Sequence, residues 1–274
     1  MSTGDAATPG TYAVRAAHVG TLPVPGWEVY FGRNDTTFHD LAFYVWLVTD
    51  GERVGLVDLG LPADPADRSA LVTACQDVDP RSLFRDTRGL AAAMRELAVQ
   101  PEDVDFVCVT QTVTYHTGGL DLSLLPRAQV YLAAAGVLEM LTDPPGHPSP
   151  DLYFTATGWS ALRELAVAGR LTLARDAVEV APGIVFEPTG GHHPGSAAVR
   201  VRTADGTLGL LETAFLQGNV DGIIPVGISE DAARCREVIR RYRAECDEVI
   251  ALHDPVHLAR FGDARRSEEP ARAA

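Results

Sequence analysis

Positive charge is scarce in this chain. Its 23 basic residues face 37 acidic ones, giving a formal net charge of −14. Nucleic acid and anionic membrane surfaces both require a basic face, so neither is expected as a partner. Cysteine is scarce too. The four residues, Cys75, Cys108, Cys235 and Cys246, never fall at CxxC spacing, which argues against a thiolate metal knuckle and a redox dithiol. All four are expected reduced and mostly buried, Cys108 in a strand and Cys235 on the apolar face of a helix. No apolar run approaches the roughly 18 residues of a membrane span. The first ten residues lack the basic start and apolar stretch of a secretion signal, so a cytoplasmic location is expected. No strand leads into G-x-x-x-x-G-K-[ST], which removes a phosphate-cradling loop. No internal repeat is visible.

What is present suits one α/β domain. The chain has 274 residues, 46% hydrophobic and 7% aromatic, enough for a sizeable core. Residues 1–10 and 263–274 read as polar tails around a single domain over 11–262. Phe43–Val48 and Arg53–Asp58 read as strands about an Asp50-Gly51 hairpin turn. Leu90, Met94 and Leu97 recur at helical spacing, predicting a helix over 88–98 before a buried strand at 105–110. A short strand from Gln129 leads into helix to about Leu141, and Ser160–Ala168 is another helix. The prolines in 143–150 exclude regular structure there and mark a loop, a candidate lid. Strands follow at 171–174, 184–187, 197–202 and 208–212, the last two joined at Ala204-Asp205-Gly206. Ser229 is expected to cap a helix whose apolar face is Cys235, Val238, Ile239 and Tyr242. A last strand, 248–252, ends at His253-Asp254-Pro255. Hairpins mixed with helical crossovers imply two mixed sheets covered by helices.

Five motifs carry a more specific signal. Thr110-Gln111-Thr112-Val113-Thr114-Tyr115-His116-Thr117-Gly118-Gly119 resembles the T-H-x-H-x-D-H-x-G-G metal loop of the metallo-β-lactamase superfamily. Val57-Asp58-Leu59-Gly60-Leu61-Pro62 and Phe43-Tyr44-Val45-Trp46 resemble motifs of its branch related to N-acyl-homoserine lactonases. Thr189-Gly190-Gly191-His192-His193-Pro194-Gly195-Ser196 resembles T-P-G-H-x-P-G-H, and Leu252-His253-Asp254-Pro255 resembles G-H-D-P. The resemblance runs from about residue 28 to 262. It implies an αββα sandwich of two mixed β-sheets flanked by helices, with hydrolase activity in a cleft at the strand ends.

It also implies where the chemistry is altered. In the family one metal is held by the first two loop histidines and the histidine matching His192. A second is held by the loop aspartate and the histidines matching His116 and His253, and an aspartate matching Glu212 bridges the two. Here Gln111, Val113 and Tyr115 replace two histidines and the aspartate. Val113 cannot ligate, and the neutral amide of Gln111 is a poor ligand. A full two-metal centre is therefore not expected. Two readings stay open: one zinc or iron ion on His116, His192, Glu212 and His253, or a metal-free cleft that moves protons. The catalytic candidates are Tyr115, His116, Glu212 and His253, with Tyr115 as acid or oxyanion donor. Gln111 and Phe215 are candidate substrate contacts. Phe215 stands where some homoserine lactonases carry a tyrosine, which disfavours a plain homoserine lactonase. Asp58 is expected to hydrogen-bond the metal loop. His193 is expected to be exposed, and His18, His147 and His257 to be surface or loop histidines. Gly118-Gly119 and Gly190-Gly191 are expected to permit tight turns.

The expected function is an enzyme acting on a small-molecule ester, lactone, thioester or polyketide-like intermediate, in specialised metabolism. A metal-free lyase, cyclase or isomerase is the alternative, and a non-catalytic ligand-binding protein the rival class.

Overall fold

The computed structural model describes residues 10–142 and 152–262. The expected tails (except Gly10) and the whole of the candidate lid over 143–150, with His147, lie outside the described residues.

Two sheets stack face to face. The first runs in strand order β1 (Ala13–Pro25), β2 (Phe38–Thr49), β3 (Val54–Val57), β4 (Val104–Cys108), β5 (Gln129–Ala133) and β6 (Leu171–Ala174). Its first three strands pair antiparallel and the rest parallel. The second runs β11 (Glu248–Ala251), β10 (Gly206–Leu211), β9 (Ala197–Thr203), β8 (Ile184–Pro188) and β7 (Val178–Ala181). Only β10 and β11 pair parallel in it. Nine helices are described: α1 (Gly26–Val29), α2 (Ser69–Val78), α3 (Leu90–Leu97), α4 (Thr114–Thr117), α5 (Ala134–Thr142), α6 (Ala156–Val167), α7 (Gln217–Gly222), α8 (Ala232–Glu245) and α9 (His257–Phe261). Both predicted hairpins form, with Gly51 (φ 91°) and Gly206 (φ 121°) in the backbone region that favours glycine.

Alternation along the strands divides the apolar residues into three layers. Trp46, Val57, Phe106, Phe186, Val199 and Leu210 fill the space between the sheets. Leu56, Met94, Leu97, Val107 and Val130 pack the first sheet against its helices. Val238, Ile239 and Tyr242 of α8 cover the outer face of the second. These layers make the αββα sandwich that the resemblance implies.

Some details differ from expectation. β1 is longer than any strand read from the sequence, and its Pro23 and Pro25 conceal it. They are tolerated because β1 is an edge strand. Helix α6 starts four residues before its predicted boundary because Thr155 caps it, accepting from Gly158 N–H. Asp231, not Ser229, caps α8, accepting from Arg234 N–H at 2.9 Å. Glu230 N–H and Asp231 N–H are still bonded to the His192 and Gly191 carbonyls, so the chain cannot turn into the helix earlier. Gly118 has φ −61°, so no left-handed turn requires it. A Cβ there would lie 2.2 Å from Pro62 N, and one at Gly119 2.5 Å from the Leu59 carbonyl oxygen. These glycines serve close packing, whereas Gly190 (φ 59°) and Gly191 (φ 90°) do form left-handed turns.

Candidate functional site

The motifs converge at one end of the sandwich. Asp58 follows β3, the Thr110–Gly119 loop follows β4, His192 lies in the β8–β9 loop, Glu212 follows β10 and His253 follows β11. Two parallel strand pairs, one from each sheet, therefore present their carboxyl ends to the same cleft. The connections are tied together by backbone bonds. Leu59 N–H donates to the His116 carbonyl, Gly118 N–H to Gly60, Ala197 N–H to Thr110, and Ala42 N–H to His253.

Three atoms meet there. One ligand atom from each of His116, Glu212 and His253 lies within 4.8 Å of the others, and all three residues are buried. His116 Nε2, His253 Nε2 and Glu212 Oε2 have no hydrogen-bond partner among the described residues. Leaving one buried polar atom unpaired is costly. Three buried side chains that converge, each with an unpaired ligand atom, are the signature of a site built around something that binds them.

The opposite edge of each side chain is held. His116 Nδ1 lies 2.8 Å from Asp58 Oδ2, and His253 Nδ1 lies 3.2 Å from the Ala42 carbonyl oxygen. Both contacts place the ring proton on Nδ1 and leave the Nε2 lone pair aimed into the cluster, the usual outer-shell arrangement behind a ligating histidine. Burial lowers His253 to about 3, so its imidazole is neutral. Burial also works to raise the Glu212 carboxyl, but the charge and hydrogen bond of His192, with His116 and Ser196, outweigh it and bring it to about 2. Asp58 is the organiser of the loop. Its carboxylate accepts from Thr110 N–H at 2.7 Å and from Thr110 Oγ1 at 2.8 Å, besides facing His116. It does so from a left-handed backbone (φ 62°). The expected role of Asp58 therefore holds, and Thr110 is a partner that the motif alone did not single out.

His192 reaches the cluster only through Glu212. Its Nδ1 is 2.5 Å from Glu212 Oε1, and Gln111 Nε2 is 3.2 Å from the same nitrogen. His192 is not among the three converging ligands. Val113 is buried on the cavity wall and Gln111 is engaged with His192 and the Tyr115 side chain. The residues fit one metal ion at His116, Glu212 and His253. They do not fit a second at Gln111, Val113 and His192.

Tyr115 and Phe215 line the adjoining cavity of about 290 Å³. Tyr115 packs on Phe43 with ring centroids 5.0 Å apart and on His116 at 4.8 Å. Burial, then the charge of Glu212, holds its phenol well above the usual range, so it is a protonated donor at neutral pH. Phe215 stands edge-on to His192 at 4.9 Å and to His253 at 5.6 Å. Two expectations change. His193 is partly buried and lines the cavity, with Nε2 3.0 Å from Glu139 Oε2. His257 is buried and bonds the Ala251 carbonyl through Nε2 at 2.9 Å. His193 and Glu139 also meet Glu230 in a second ligand group. There, however, Gly195 N–H donates to His193 Nδ1 at 3.0 Å. With Nε2 at Glu139 and Nδ1 accepting from Gly195, both ring nitrogens of His193 are engaged. Only tertiary structure brings Glu28 and Glu230 to the cavity wall, and neither carried a sequence signal.

No family model matches the sequence, and no curated protein shows significant similarity to it. Solved structures do resemble the fold. An N-acyl homoserine lactone hydrolase with N-hexanoyl-L-homoserine bound at its catalytic metal center aligns at TM-score 0.67 and 14% identity, over 92% of this chain and 96% of that one. A probable metal-dependent hydrolase from Staphylococcus aureus aligns at TM-score 0.67 and 14% identity, over 89% and 90%. A dizinc quorum-quenching lactonase aligns at TM-score 0.57 and 12% identity, over 85% and 83%. With two mixed sheets, flanking helices and these neighbours, the chain has the metallo-β-lactamase fold.

Proposed function

We propose that the chain is a hydrolase of small molecules bearing an ester, lactone or thioester carbonyl, and that it works with a single divalent metal ion. The observation that carries this reading is the convergence of His116, Glu212 and His253, all buried, each with an unpaired ligand atom (Nε2, Oε2 and Nε2). Two histidines and one carboxylate suit zinc or ferrous iron. When bound, such an ion supplies Lewis-acid polarisation of a carbonyl and a more acidic water. The protein's own residues do the rest. Asp58 fixes the ring of His116, the Ala42 carbonyl fixes that of His253, and His192 holds one oxygen of Glu212. Tyr115, a protonated phenol on the cavity wall beside His116, donates a hydrogen bond to the oxygen that gains charge during acyl transfer. The apolar wall keeps bulk water from the reacting group.

This reading departs from a two-metal lactonase in chemistry as well as in ligand count. Phe215 has no hydroxyl, so Tyr115 is the only phenol on the described cavity wall. By fold-level analogy, the reading extends to a tailoring step in specialised metabolism. Hydrolysis of 4-nitrophenyl acetate, γ-butyrolactone and S-phenyl thioacetate by protein supplied with zinc or iron, and again after chelation, tests it. Turnover of at least one probe that disappears with chelator and in His253→Ala supports the reading. Turnover indifferent to both contradicts it and favours metal-free proton transfer, while no turnover of any probe favours a ligand-binding role.

A further inference from the structure

The cavity extends from the three-atom cluster to a wall built by β1, α1 and α2. Leu22, Val24, Leu71, Ala74 and Val78 make that wall apolar. Glu28 interrupts it. Its Oε1 is buried and has no hydrogen-bond partner among the described residues. The backbone that carries it is fixed, since the Glu28 carbonyl accepts from Gly227 N–H at 2.7 Å and from Ile228 N–H at 3.3 Å. This clamp is tight, because a Cβ on Gly227 would lie 1.7 Å from the Trp27 carbonyl oxygen. Tyr115 lines the same cavity and feels negative charge from Glu212 first and more weakly from Glu28.

Nothing on the described cavity wall neutralises Glu28. The other charged lining residue is Glu230, no arginine lines the cavity, and the sequence contains no lysine. Burial, with Asp79 adding to it, pushes the Glu28 carboxyl up to about 7, as expected of an acid without a cation. A half-buried carboxyl with an orphaned oxygen in an apolar wall is costly to keep unless a ligand completes it.

Resting on the hydrolase reading for what happens at the carbonyl, we propose that Glu28 is a specificity residue that recognises an ammonium group on the substrate. The rest of the substrate then spans the apolar wall toward the cluster. Anionic compounds are disfavoured by the two carboxylates, and purely apolar ones leave Glu28 unpaired. A charge-assisted hydrogen bond in a cavity of this kind supports a preference of about 10- to 100-fold over an uncharged isostere.

The test uses binding alone, so that its failure is separable from failure of the hydrolase reading. The affinities of n-hexylamine and n-hexanol are measured by calorimetry at pH 8 on the full chain, its Glu28→Gln and Glu28→Asp variants, and His253→Ala. The expected result is tighter binding of the amine by at least about tenfold in the unmodified protein and in His253→Ala, loss of that preference in Glu28→Gln, and partial retention in Glu28→Asp. Equal affinity for the two probes, binding of neither, or a preference that survives Glu28→Gln overturns the proposal. A preference lost in His253→Ala but not in Glu28→Gln assigns the amine to the cluster and overturns it as well. Glu28→Gln preserves side-chain volume, and a thermal midpoint close to that of the unmodified protein confirms that it is folded. Absence of metal or of hydrolysis, with the amine preference intact, sinks the hydrolase reading and leaves Glu28 as the recognition residue.

Discussion

Replacing Asp58 with alanine removes the acceptor for three buried donors at once: Thr110 N–H, the Thr110 hydroxyl and His116 Nδ1–H. Each stranded donor costs about 1–3 kcal/mol. One loss is softened, since Thr110 Oγ1 lies 3.3 Å from His116 Nδ1 and can turn toward it. Alanine in the left-handed backbone of this position (φ 62°) adds about 1 kcal/mol. The total comes to about 4–5 kcal/mol, a large share of the stability of an ordinary domain. Asp58→Asn keeps one acceptor oxygen and suits the left-handed backbone, so it costs about 1–2 kcal/mol. It also weakens the hold on the His116 ring, which lowers metal affinity by about 10- to 100-fold. Urea unfolding in chelator gives the stability change free of metal, and competition with a chromophoric chelator gives the affinity. An alanine variant that costs under about 1 kcal/mol would refute the reasoning about the buried donors. An asparagine variant that holds metal as tightly as the parent would refute the outer-shell role.

Other outcomes follow from the same geometry. Gly118→Ala places a Cβ 2.2 Å from Pro62 N, and because the obstacle is backbone it costs at least about 2 kcal/mol by urea unfolding. Tyr115→Phe keeps the packing on Phe43 and so changes stability by less than about 1 kcal/mol, while kcat on a hydrolysed probe falls by about 100-fold; an unchanged kcat removes Tyr115 from the chemistry. The Glu28 carboxyl is raised from 4.5 to about 7 with Asp79, Cys75 and Tyr115 as its titratable neighbours. A raised acid binds protons more readily when folded, so its contribution is intact below pH 4.5 and is lost as pH rises to about 7. Glu28→Gln therefore stabilises the protein above pH 7 by up to about 2 kcal/mol, discounted for partial exposure, and the gain fades in acid; a pH-independent difference contradicts it.

The fold was largely legible because hairpin turns, alternating strands and loop motifs each leave a local record. Asp50-Gly51 announces the β2–β3 hairpin, and the apolar run into Thr110 announces β4. β1 left no such record, since its prolines resemble a loop until its place at the sheet edge is known. The choice of Asp231 over Ser229 as helix cap depended on backbone bonds to the 191–192 loop, which no local pattern encodes. At the site, the resemblance named His116, His192, Glu212 and His253 as metal candidates and Asp58 as a partner of the loop, and the structure brings together only the first, third and fourth. The resemblance could not show that the Nδ1 atom of His192 turns to Glu212, since that requires the relative placement of two loops. Glu28 was invisible for the same reason: a glutamate in Gly26-Trp27-Glu28-Val29 matches no motif, and only the fold brings it to the cavity.

The central claim is that the altered loop retains one metal position and has lost the other. Elemental analysis of protein purified without chelator or added metal tests it directly, with Glu212→Ala and Gln111→Ala measured alongside. The account predicts about one zinc or iron per chain, lost in Glu212→Ala and kept in Gln111→Ala. Two ions per chain, or none in protein that still turns over substrate, contradicts it.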